Sequence, residues 1–113
     1  KQFEEFFTLP TWLPKADPSW FACPITVRDT APFDRTTLTR YLESHKVETR
    51  MMFAGNILKQ PAYRNIECRV VGELPVADQV MRSAFFVGVY PGLNEAKIDY
   101  MLQVIADFIR THS

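Results

Sequence analysis

Cysteine and histidine are scarce in this chain of 113 residues, which has Cys23, Cys68, His45 and His112 and no more of either. The two cysteines have neither CxxC spacing nor a histidine beside them, so no zinc site or redox pair is signalled and they read as free thiols of a reducing cytoplasm. Net charge is missing too: 13 basic residues balance 13 acidic ones, which removes the broad field that would draw nucleic acid or an anionic membrane. Long apolar runs are absent. The longest spans Ala84 to Tyr90, far below the roughly 20 residues a membrane helix needs. Glu4 and Glu5 interrupt the opening phenylalanines, so no secretory signal is read there. No initiator Met opens the chain, and its first residues start in mid-pattern, as expected of a piece of something longer.

Several mechanisms are excluded by what the sequence omits. It has no GxGxxG, GxxxxGK[ST], HExxH or GxSxG, and each absence removes a chemistry that needs those residues at that spacing. Ser44 stands beside His45, and adjacent helical residues point about 100° apart, a poor nucleophile–base geometry. The acidic pair Glu4–Glu5 reads as solvated charge.

What is present is the composition of an ordinary globular domain, 47% apolar and 23% charged. Phe3, Phe6 and Phe7 stand at helical spacing, so Lys1–Leu9 reads as a helix tail, and Pro10, Pro14 and Pro18 then make a semi-rigid connector. Trp20–Arg28 reads as a first strand, demoted to an edge or bulged by Pro24. Asp34 caps a helix to about Lys46 with Leu38, Tyr41 and Leu42 as its buried stripe. Residues 47–52 alternate as a strand until Gly55-Asn56 breaks it. Residues 64–74 are loop-like with a brief strand candidate at Arg69–Val71.

Pro75 opens a further helix, with Val76, Ala77, Val80, Met81 and Ala84 at helical spacing. Phe85–Tyr90 is the clearest strand, stopped by Pro91-Gly92. Asn94 caps a last helix whose stripe is Ile98, Met101, Leu102, Ile105, Phe108 and Ile109. The expected architecture is α+β: a small sandwich of a short, mainly antiparallel sheet with helices on one face.

Two segments carry more than fold. In Ser19-Trp20-Phe21-Ala22-Cys23-Pro24 two large aromatics enter a strand from a proline connector. Both rings belong to the core, or, because strand side chains alternate, one of them faces a second surface such as another domain or a ligand. In Thr49–Asn56, running on to Gln60-Pro61-Ala62-Tyr63, an arginine-bearing strand enters a Gly-Asn turn. Arg50 is an ordinary surface residue beside a turn chosen for geometry, or a fixed guanidinium beside exposed backbone donors, suited to phosphate or sugar hydroxyls.

The segments SWFACPITV, VETRMMFAGNILKQPAY, RVVGELPVADQVMRSAFFVGVYPGL and the final helix, in this order, resemble the C-terminal region of the pyridoxal phosphate-dependent sugar-nucleotide aminotransferases and dehydratases of fold type I. Within that family the resemblance is nearest to the CDP-4-keto-6-deoxyglucose 3-dehydratases of lipopolysaccharide O-antigen biosynthesis. It implies that residues 1–18 are the tail and connector of a large N-terminal domain and that 19–113 form the C-terminal small domain. It implies further that pyridoxamine or pyridoxal phosphate and a [2Fe–2S] cluster belong to the large domain, with no catalytic, cofactor or metal ligand in this stretch. Expected partners are CDP-4-keto-6-deoxyglucose, an NAD(P)H-dependent reductase and a second copy of the full-length chain.

Phe21 stands where related aminotransferases read a histidine (S-W-H-L-F against S-W-F-A-C), so a proton carrier is replaced by an apolar wall, a change that agrees with dehydration. Phe21, Arg50, Phe53 and Asn56 are the candidate substrate-pocket residues. The alternatives are an amino-sugar aminotransferase and a stand-alone α+β binding module without catalysis.

Overall fold

Three of the chain's helix starts are local decisions. Asp34 accepts from Thr37 N at 2.7 Å and Asn94 from Lys97 N at 3.0 Å, so α1 (Arg35–Ser44) and α3 (Glu95–His112) begin at their side-chain caps. Pro75 begins α2 (Pro75–Ser83) behind Leu74, which takes a left-handed conformation (φ 53°) in place of a side-chain cap. The computed structural model describes residues 3–113. Its strands are β1 (Phe7–Thr8), β2 (Ala22–Val27), β3 (Thr49–Met51) and β4 (Ala84–Gly88), and single 3₁₀ turns occupy Ile57–Lys59 and Pro61–Tyr63.

The four strands form one antiparallel sheet in the order β1-β2-β4-β3, the expected α+β architecture. Alternation sorts its side chains. Ile25, Val27, Phe85 and Val87 join Leu38 and Leu42 of α1 and Val104, Ile105 and Phe108 of α3 in one buried cluster. Pro24 and Phe86 are register partners on the opposite face. β1 pairs with Thr26 and Val27 alone, so Pro24 sits where β2 has β4 on one side and no strand on the other, a place that tolerates a missing donor.

The helix tail expected over Lys1–Leu9 is a strand entry instead, with Lys1 and Gln2 outside the described residues. Phe6 N and Phe7 N both donate to Phe3 O at 3.1 Å, one tight turn, after which β1 pairs with the edge of β2. Arg28 secures it: its N donates to Phe6 O (2.8 Å) and its Nε to Phe7 O (3.1 Å). The open edge of β2 supplies ladder bonds that outweigh the helical spacing of the phenylalanines. Phe6 and Phe7 then pack on Phe33, which meets Phe108 edge-on at 4.9 Å.

Residues 9–21, the proline segment, are consequently a long hairpin loop between two strands of the same sheet. The radius of gyration is 16.0 Å, against about 13 Å for a compact chain of this length. Trp12 and Leu13 are exposed on that loop.

Three smaller expectations also give way. Arg69–Val71 finds no ladder partner and stays coil. Val76 is exposed, and α2 leaves Ala77, Val80 and Met81 half-buried as it runs straight into β4. On α3, Ile98 and Leu102 are exposed and Val104 is buried in their stead. Ile98 and Leu102 line an open apolar groove beside Leu9, Val89 and Leu93 instead of closing onto the core.

Candidate functional site

The face of the sheet turned away from α1 and α3 gathers three of the four candidate pocket residues. Phe86, half-buried at its centre, has Phe21 against it at 5.9 Å between ring centroids and Phe53 at 6.1 Å. Phe21 and Phe53 are 74% and 77% exposed, so these rings serve a surface and not the core. Arg50 is the register partner of Phe86 across β3 and β4, and its guanidinium pairs with Glu48. Trp20 is not in the core either: it is partly exposed and meets Trp12 edge-on at 5.7 Å. Of the two readings of Trp20-Phe21, the one that places both rings in the core gives way.

The loop after β3 presents Phe53 at some cost. Phe53 lies at φ 45°, in the left-handed region, where a residue with a Cβ pays about 1–2 kcal/mol. Its N donates to Met51 O at 2.7 Å, and Gly55 N to Met52 O at 3.1 Å. Gly55 has φ 59°, and a Cβ there would lie 2.5 Å from Met81 Cβ, so only glycine lets α2 close on the turn.

Asn56 is not brought onto the phenyl face. It is buried, its Oδ1 accepts from Leu58 N (3.1 Å), and its Nδ2 donates to Asp78 Oδ1 (2.7 Å). Lys59 Nζ lies 2.8 Å from Asp78 Oδ2. The bond from Lys59 first, and that from Asn56 second, hold the Asp78 carboxyl below its ordinary range. Asn56 therefore ties the loop to α2 and thereby sets where Phe53 stands.

Phe86 and Arg50 also line a groove of about 820 Å³ that runs between residues 46–50, the end of β4 and the first turns of α3. Lys46, Glu48, Tyr90, Lys97 and Tyr100 complete its polar wall. Lys97 Nζ donates to Gly92 O (2.9 Å) and stands 5.8 Å from the centre of the Tyr90 ring, while Tyr100 Oη donates to His45 O (2.9 Å). Sequence reading missed Phe86, because its meaning depends on register. The available signal was alternation within Ala84-Phe85-Phe86-Val87, which sends Phe85 and Phe86 to opposite faces.

The imidazoles are elsewhere. His45 stacks on Tyr41 at 4.1 Å and His112 on Phe108 at 4.1 Å, both beside the helices. Cys23 is half-buried, and burial pushes its thiol up, away from the thiolate a nucleophile needs. A [2Fe–2S] cluster takes four thiolates or equivalent ligands, and among the described residues no three His, Cys, Asp or Glu side chains converge, so this chain's own donors do not fit one. On the phenyl face the Arg50 guanidinium pairs with Glu48, the one carboxylate among the described residues lining the adjoining groove.

Residues 1–106 match the DegT/DnrJ/EryC1/StrS aminotransferase family. The chain belongs to that family. It is similar to the lipopolysaccharide biosynthesis protein RfbH of Salmonella typhimurium, 42% identical over 104 residues, covering 92% of this chain and 24% of that protein. It is similar as well to dTDP-4-dehydro-2,6-dideoxy-D-glucose 3-dehydratase of Saccharopolyspora spinosa, 41% identical over 105 residues, covering 93% of this chain and 23% of that enzyme. The chain thus spans about a quarter of the length of these family members.

Among solved structures, the fold matches GDP-4-keto-6-deoxy-D-mannose-3-dehydratase of E. coli with a TM-score of 0.79 at 21% identity, over 92% of this chain and 27% of that one. It also matches a family aminotransferase from Brucella abortus, TM-score 0.75 at 20% identity, over 94% of this chain and 27% of that one. Among the described residues no helix is long and apolar enough to cross a membrane.

Proposed function

We propose that residues 19–113 are the C-terminal small domain, and 1–18 the joining stretch, of a pyridoxamine phosphate-dependent CDP-4-keto-6-deoxyglucose 3-dehydratase of the cytoplasm, working in 3,6-dideoxyhexose and O-antigen biosynthesis. In this reading the cofactor, the [2Fe–2S] cluster and the catalytic base belong to the large domain, a second copy completes the enzyme, and an NAD(P)H-dependent reductase supplies the two electrons that net 3-deoxygenation consumes. The electron-sink chemistry is the cofactor's. This chain contributes a wall to the sugar pocket, with Phe21, Phe53 and Arg50 on it and Asn56 behind it.

The observation that carries the reading is the phenyl face itself. Its three rings hold no group able to move a proton to or from the sugar, and both histidines stack elsewhere. A 3-dehydratase and a lipopolysaccharide biosynthesis protein, each more than 40% identical, support the same assignment.

The test is product analysis with the full-length protein, pyridoxamine phosphate, the reductase and CDP-4-keto-6-deoxyglucose. The 3-deoxy sugar is expected, with one NAD(P)H consumed per turnover. An amino sugar formed from pyridoxal phosphate and glutamate would assign the protein to the aminotransferases instead, and no turnover of either kind would leave a binding module.

A further inference from the structure

We propose that Phe21, Phe53 and Phe86 form a selectivity wall for the deoxygenated C6 edge of a nucleoside diphosphate 6-deoxyhexose, whose diphosphate lies in the adjoining basic groove; this rests on the dehydratase reading above. Three features of the face support that occupant. First, its three rings offer neither donor nor acceptor. A C6 methyl packs against them, whereas a C6 hydroxyl there loses its water and gains no hydrogen bond from the rings.

Second, Phe53 is held in a left-handed conformation while 77% exposed, so its ring is maintained at a cost that packing within the domain does not return. Glycine would serve the turn better. The ring is kept for something that comes to meet it.

Third, the wall is continuous with charge of the right sign. Phe86 lines both the phenyl face and the groove, where Lys46, Arg50 and Lys97 outnumber the one carboxylate, Glu48. An apolar wall running into a cationic groove complements a ligand that is hydrocarbon at one end and twice anionic beside it. The 3-dehydratase to which the chain is 41% identical is named for a substrate that is deoxygenated at C6.

Two stable ligands without the 4-keto group read this out without turnover: CDP-6-deoxyglucose and CDP-glucose, titrated calorimetrically into the full-length protein loaded with pyridoxamine phosphate. The 6-deoxy ligand is expected to bind about 10- to 100-fold more tightly, the discrimination an apolar pocket gives against an added hydroxyl. Phe86→Ala and Phe53→Ala are expected to bring the ratio to within about threefold by weakening the 6-deoxy ligand alone. Lys97→Ala is expected to weaken both ligands equally and leave the ratio intact.

A wild-type ratio near one, or a ratio unchanged in folded Phe53→Ala, overturns the proposal. Phe53 is exposed enough for that variant to fold even where Phe86→Ala does not. The two levels separate cleanly: 3-deoxy product with a flat ratio sinks the wall and leaves the dehydratase, while an amino-sugar product with the ratio retained does the reverse.

Discussion

Phe85 and Phe86 are neighbours in β4 with the same side chain, and they do opposite things. Phe85 is fully buried beneath α1 and α3, part of a cluster with Ile25, Val87 and Phe108. Phe86 lies on the open face between two exposed rings and at the head of a basic groove. One residue holds the domain together, and the other gives it a surface to use. A sheet with helices on one side can keep the two tasks apart, because a period of two sends consecutive side chains to different faces.

Truncating both residues tests that separation first. Phe85→Ala is expected to cost about 3–5 kcal/mol, the loss seen when a buried phenylalanine is emptied, and Phe86→Ala about 1–2 kcal/mol, both read from urea unfolding midpoints. Equal losses would show that the open face is a second core. Next is the loop that aims Phe53. Asn56→Ala removes a cap and the bond to Asp78, for about 1–2 kcal/mol, and weakens the 6-deoxy ligand although Asn56 is not on the phenyl face. Ligand binding unchanged in a destabilised Asn56→Ala would break the link from loop to wall.

Phe53→Gly should move the other way on stability, a gain of up to about 1 kcal/mol from relief of the left-handed strain, together with loss of ligand selectivity. A thermal melt and the calorimetric ratio, measured on one preparation, check both signs.

The smallest effect lies in acid. Asp34 is held below its ordinary value chiefly by the Thr37 backbone N–H, and Asp78 by Lys59 and then Asn56. A carboxyl lowered in the folded state stabilises above its unfolded value of about 4 and loses that contribution as pH falls through the folded one. The melting temperature is therefore expected to fall more steeply below pH 4 than above it, and Asp34→Asn, which keeps an acceptor at the cap, should flatten that limb. A limb as steep as in the wild type would assign the acid loss to other groups.

Legibility followed range. α1 and α3 begin at Asp34 and Asn94, as the sequence indicates, because a cap is settled within three residues. Phe3–Phe7 shows the same rule from the other side. Its helical spacing is real, yet the pairing of Phe7 with Val27, twenty positions on, outweighs it. Phe21, Arg50 and Phe53 were legible as surface-facing or loop-borne residues. That they meet around Phe86 was not, since β2, β3 and β4 come from distant parts of the chain.

By itself the sequence determined the helix starts, the alternation of the strands and the family, all of which depend on neighbours in the chain or on residue identity in order. Only the tertiary structure decided which strand edges pair, which phenylalanine of each adjacent pair reaches the core, and that Asn56 serves its loop and not the open face. The physical reason is that ladder bonds and ring contacts are made between segments whose separation in sequence is unrelated to their distance in space.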